Sequence, residues 1–120
     1  MLTRPLIFSL TLAITLAISS TPLLAKTLTA AEKQLVGTWQ GRIHDELLYQ
    51  ITFRRNHTWI MRPVDVPDAR PQSGGWELVR DTLVIRTDGR KDVIGHRVTS
   101  LGARKATFNP VHPFTLTRVR

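Results

Sequence analysis

Cysteine is absent from all 120 residues. No disulfide staples this chain, no thiolate serves as nucleophile or metal ligand, and no lipid-bearing cysteine anchors it, which excludes a bacterial lipoprotein. Acidic side chains are scarce: nine against 17 Lys and Arg, for a formal net charge of +8. A long apolar run occurs only in the first 25 residues. Helical periodicity is missing beyond one short stretch, so there is nothing to supply the crossover helices of a parallel sheet.

The apolar N-terminus has the anatomy of a secretory signal. Arg4 and the α-amino group form a basic start, Leu6 to Ile18 is apolar apart from Ser9, Thr11 and Thr15, and Ser19-Ser20-Thr21-Pro22 breaks the run. An apolar core this short with a polar exit reads as a cleaved signal over residues 1–25, cut after Ser20 or Ala25, and not as a retained span. The expectation is an exported protein, periplasmic or secreted, that does not span a membrane after cleavage, with one domain over residues 26–120. That domain must fold without disulfides on a core of modest size.

Its charge is unevenly distributed along the chain. Residues 41–79 carry five basic and five acidic side chains, whereas residues 80–120 carry nine basic and three acidic. The C-terminal half is therefore attracted to anionic surfaces, with Arg86, Arg90, Lys91, Arg97, Arg104 and Lys105 as candidate contacts. Nucleic acid is not the expected partner, because no aromatic residue lies between Trp76 and Phe108 to stack on bases.

Thr29-Ala30-Ala31-Glu32 fits a capping box and predicts one or two helical turns before Gly37. Everything after it has strand character. Leu47, Tyr49, Ile51 and Phe53 alternate with Leu48, Gln50 and Thr52, giving one apolar face. Arg54-Arg55-Asn56-His57 is read as a turn with Asn56 at positive φ, and Thr58 to Val64 returns. Asp65 to Gly75, with two prolines and two glycines, reads as a loop. Short strands follow over 76–80 and 82–87, then the Asp88-Gly89 turn, then strands over 92–99, 105–109 and 114–119. The pattern predicts an all-β domain, a small antiparallel up-and-down β-barrel or sandwich preceded by a short helical turn.

Leu35-Val36-Gly37-Thr38-Trp39 after a single helical turn resembles the G-x-W opening of lipocalin-like domains of the calycin type, in their short bacterial form. Phe53 to Trp59 resembles the first hairpin turn of that family, Gly75-Trp76 its mid-chain strand, and Thr82-Leu83-Val84-Ile85 the next strand. Thr115-Leu116-Thr117-Arg118 resembles the closing strand, whose basic residue packs over the opening Trp. The resemblance implies an up-and-down barrel over roughly residues 29 to 119, a fold that hosts unrelated activities. Two departures stand out: Arg55-Asn56-His57 replaces the usual Asp-Gly turn, and the chain is much shorter than a full lipocalin.

No catalytic constellation is present. There is no G-x-S-x-G, no phosphate-cradling loop, and no Ser and Asp set around His44, His57, His96 or His112. Those four histidines lack ligand spacing, and no metal or other cofactor is implied. Carboxylate pairs such as Asp45/Glu46 and Asp65/Asp68 fall in turns. The aromatic residues either fill a narrow barrel, which the chain's size favours, or line a cup, with Trp39, Tyr49, Trp59 and Trp76 as candidate ligand contacts. The functional expectation is a non-enzymatic exported binding protein for an apolar or anionic envelope ligand. The alternative is an interaction or inhibitor protein that engages a partner protein through loop 65–75.

Overall fold

The computed structural model describes residues 27–43, 47–66 and 68–120. The expected export signal and the His44-Asp45-Glu46 turn lie outside them. One helix, α1 (Ala30–Leu35), precedes eight strands: β1 (Gly37–Arg42), β2 (Leu48–Phe53), β3 (Thr58–Pro63), β4 (Gln72–Val79), β5 (Thr82–Thr87), β6 (Val93–Leu101), β7 (Lys105–Phe108) and β8 (Phe114–Arg118). Each strand pairs antiparallel with the next, and β8 returns to β1 through Trp39–Arg118 and Gln40–Thr117. The result is a closed up-and-down barrel. Closure removes the unpaired strand edges on which an open sheet aggregates, so no disulfide is needed to protect them.

Alternation along the strands makes this possible. Trp39 on β1, Ile51 and Phe53 on β2, Trp76 and Leu78 on β4, Ala106 and Phe108 on β7, and Phe114 and Leu116 on β8 are all buried on the inner face. Helix α1 forms because the capping box is real: Glu32 N–H donates to Thr29 Oγ1 at 3.1 Å, and Thr29 N–H donates to Glu32 Oε1 at 2.9 Å. Extended Val36 then ends it, and Leu35 is buried beneath the barrel wall. The helix, the β2–β3, β4–β5 and β6–β7 turns and the C-terminal residues share one end, the closed end. The other four loops surround the open end.

Two local expectations are corrected. Asn56 does not take the positive φ of the first turn; His57 does, at 66°. Asn56 Oδ1 instead accepts from Thr58 N–H at 3.1 Å and Thr58 Oγ1 at 2.6 Å, so its side chain closes the turn and the left-handed residue falls one place later. Residues 72–75 are not loop but the start of β4. A β-carbon on Gly74 would collide with the Arg86 carbonyl of β5. Glycine is required there by the close approach of two strands, not by a turn.

Candidate ligand-binding site

The barrel interior has two unlike halves. Toward the closed end it is filled solid: Trp39, Trp76, Phe53, Phe108, Leu35 and Leu116 are the largest side chains with essentially no exposure. Phe53 meets Trp76 edge-on at 5.3 Å, a preferred aromatic geometry. Each buried indole N–H finds a backbone carbonyl, so none is left as an uncompensated donor. Trp39 donates to Leu35 at 2.9 Å, Trp76 to Arg54 at 3.2 Å, and Trp59 to Gly75 and Arg86 at 3.0 and 3.1 Å. The Arg118 guanidinium sits 4.3 Å from the Trp39 ring centroid and donates to the carbonyls of Ala103, Val36 and Gln34. That one side chain ties β8, α1 and the β6–β7 turn across the barrel floor.

Glu32 completes the closed end from the helix side. Its side chain is almost wholly buried, and Oε2 accepts from Leu78 N–H at 2.9 Å. Oε1 accepts from Thr29 N–H and lies 3.1 Å from His57 Nε2, which must donate to an ionised carboxylate. Burial alone pushes this carboxyl up, but the Thr29 and Leu78 amides and the His57 ring together outweigh it. They hold it below its ordinary value of 4.5.

Toward the open end the filling stops. A cavity of about 120 Å³ is lined by Ile51, Phe53, Trp59, Met61, Leu83, Ile85, Phe114 and Leu116, with Gln72, Thr87 and His96 as polar members. It shares Ile43, Met61, Gln72, Thr87 and Ile94 with an adjoining mouth of about 280 Å³, rimmed by Tyr49, Arg90 and Asp92. On β1 the inward position after Trp39 is Gly41, and on β4 the inward position before Trp76 is Gly74; at both a β-carbon would strike the backbone of a neighbouring strand, so the wall is tight there, and Ile43 and Gln72 bring side chains to the cavity from its open-end side. His96 is held in place by Asn109 Nδ2, 3.1 Å from its Nδ1, and by edge-on contact with Phe114 at 5.3 Å. A donor at Nδ1 leaves the ring proton on Nε2.

The expected site residues are separated by this division. Trp59 lines the cavity and Tyr49 the mouth, while Trp39 and Trp76 belong to the filled half. The six expected basic contacts are also dispersed. Arg86 lies 3.6 Å from Glu77, Arg90 3.6 Å from Asp92 and Arg97 3.2 Å from Asp81. Arg90 and Lys91 occupy the open-end turn after β5, whereas Arg104 ends the closed-end β6–β7 turn and Lys105 opens β7. Loop residues 65–71 stand at the open end beside the mouth, with Val64 and Val66 exposed.

Ile85, Met61, Ile94 and His96 were not singled out in the sequence. The available signal was period-two alternation, which puts Met61 on the face of Trp59, Ile85 on that of Leu83, and Ile94 with His96. Among the described residues no three His, Asp or Glu side chains come together to hold a metal ion, and no helix is long and apolar enough to cross a membrane. No family model, no curated protein and no solved structure matches the chain.

Proposed function

We propose that this protein is an exported, non-enzymatic, lipocalin-like binding module that takes a small amphiphile into the open half of its barrel. The observation that carries the reading is the continuity of the apolar cavity with the polar-rimmed mouth. A cavity of about 150 Å³ with a similar lining stays dry and accepts benzene, so this interior suits a compact apolar group of that order. The polar end of the ligand then lies at the mouth, near Gln72, Thr87 and Arg90. Among the described residues, six of the eight exposed large apolar side chains, Leu47, Val64, Val66, Val93, Ile94 and Val111, stand on open-end loops or strand ends, an apolar lip across which such a molecule passes. The closing Arg118 over the opening Trp39 supports the lipocalin-like assignment, as do the helix under the barrel and the strand order. A periplasmic or secreted location belongs to the same reading.

Titration with a series of short-chain alcohols and carboxylates, followed by thermal shift and Trp fluorescence, tests it. Binding of a chain of about four to eight carbons is expected, weakened about tenfold or more by Ile94→Trp, which blocks the passage from mouth to cavity. No stabilisation by any member of the series contradicts the proposal. The second reading, a partner protein gripped at loop 65–71, rests on exposed Val64 and Val66. A loop-shortened variant that loses a specific partner while keeping the barrel intact favours it.

A further inference from the structure

The fold redistributes charge in a way the linear sequence conceals. Lys33 of α1, Arg55 of the β2–β3 turn, Arg80 of the β4–β5 turn, and Arg104 and Lys105 where the β6–β7 turn enters β7 come from four separate segments and meet at one end of the barrel. All five are exposed. The two side-chain carboxylates of that end among the described residues are already engaged, Glu32 by His57 and backbone amides and Asp81 by Arg97. Among the described residues no carboxylate lies at ion-pair distance from any of the five. At the open end, by contrast, Asp65, Asp68, Asp88 and Asp92 balance Arg62, Arg70, Arg90 and Lys91. The molecule is thus polar along its axis, strongly positive at the closed end and near neutral at the mouth.

We propose that the closed end is a docking face for the anionic headgroups of a lipid bilayer. Three features choose a bilayer over other polyanions. The aromatic side chains of this end are buried, so there is no platform on which nucleic acid bases stack. Among the described residues the exposed large apolar side chains here are Val79 and Val119, so a protein partner finds no anchor on them of the kind that dominates protein interfaces. The described chain also begins at Thr27, immediately before α1, so the apolar N-terminal segment leads into this same end. Guanidinium and ammonium groups from four segments, with one open hollow of about 310 Å³ lined by Thr27, Leu28, Lys33 and Arg55 among them, suit mobile phosphates rather than one fixed ligand. Docking in this manner leaves the mouth pointing away from the bilayer, free to take up the ligand proposed above. The docking claim does not depend on that ligand.

Co-sedimentation with phosphatidylcholine vesicles, with and without about 30 % phosphatidylglycerol, tests the proposal, using wild type, a closed-end variant (Arg55→Gln, Arg80→Asn, Arg104→Gln, Lys105→Gln) and an open-end variant (Arg62→Gln, Arg70→Gln, Arg90→Gln, Lys91→Gln). Asn at position 80 keeps a residue that tolerates the positive φ found there. Circular dichroism and melting confirm that each variant keeps the barrel. Each basic residue near an anionic surface contributes about fivefold in affinity, so the closed-end variant, which lacks four of them, loses about 600-fold. The open-end variant changes little, and raising NaCl from about 50 to about 500 mM releases the wild type. All three proteins share one N-terminus, so any lipid affinity of a retained leader cancels in the ratios. A wild-type to closed-end ratio near one, an equal ratio on neutral vesicles, an equal loss in the open-end variant, or tighter capture by a DNA duplex at the same salt each overturns the proposal.

Discussion

Glu32 does three jobs with one carboxylate, and only the first could be read from the sequence. The T-x-x-E spacing announces the cap, because both partners lie within one helical turn. The bonds to Leu78 N–H and the His57 ring span 46 and 25 residues and exist only because the barrel closes. Glu32→Ala therefore removes a cap and orphans a buried amide, a loss of about 2–4 kcal/mol measured by urea unfolding. Acid should act on the same group. The folded carboxyl sits below 4.5, so the unfolded chain binds its proton more readily. The stabilisation is complete above the ordinary Glu range and disappears as the pH falls through the folded value. The melting temperature of wild type should drop more steeply than that of Glu32→Gln between about pH 6 and about pH 3; parallel curves contradict this assignment. Arg118 is the second residue of this kind. Arg118→Lys keeps the charge but not the fork that reaches three carbonyls, so it should recover little of the stability lost in Arg118→Met.

Single elements explain both what was legible and what was not. The hairpin β2–β3 and the Asp88-Gly89 turn follow period-two alternation and turn chemistry, so their residues announce them. The start of β4 was hidden because Gly74 and Gly75 carry the composition of a loop. The reason Gly74 is glycine is the carbonyl of Arg86 on a neighbouring strand, which no local rule contains. Gly74→Ala should cost about 2 kcal/mol or more by forcing β4 away from β5. Gly75→Ala, whose new carbon would meet only an ordinary contact at 3.5 Å, should cost under about 1 kcal/mol. The same two substitutions compared by melting separate a packing glycine from a merely permissive one. The short helix contributes through Leu35 rather than through its own six residues, which are too few to be stable alone. Leu35→Ala should therefore destabilise the whole barrel by about 2–4 kcal/mol and not simply fray its first turn, as a single cooperative transition would show.

At the scale of the molecule, all-β class and antiparallel order were readable, but the choice between sandwich and barrel was not. That choice depends on β8 reaching β1, a contact of 79 residues' separation between Trp39 and Arg118 that alternation alone leaves open. The aromatic residues were expected either to pack or to bind; the barrel assigns them by height, with Trp39 and Trp76 in the solid half and Trp59 at the cavity wall. Solidity below and space above is the arrangement on which the binding proposal stands. The most direct test is methyl NMR of the isoleucine and methionine side chains during titration with 1-hexanol. The account predicts saturable shifts at Ile51, Met61, Ile85 and Ile94, which line the cavity, with Ile60 on the outer face unmoved. Shifts confined to outer-face methyls, or none at the cavity while the barrel stays folded, would contradict it.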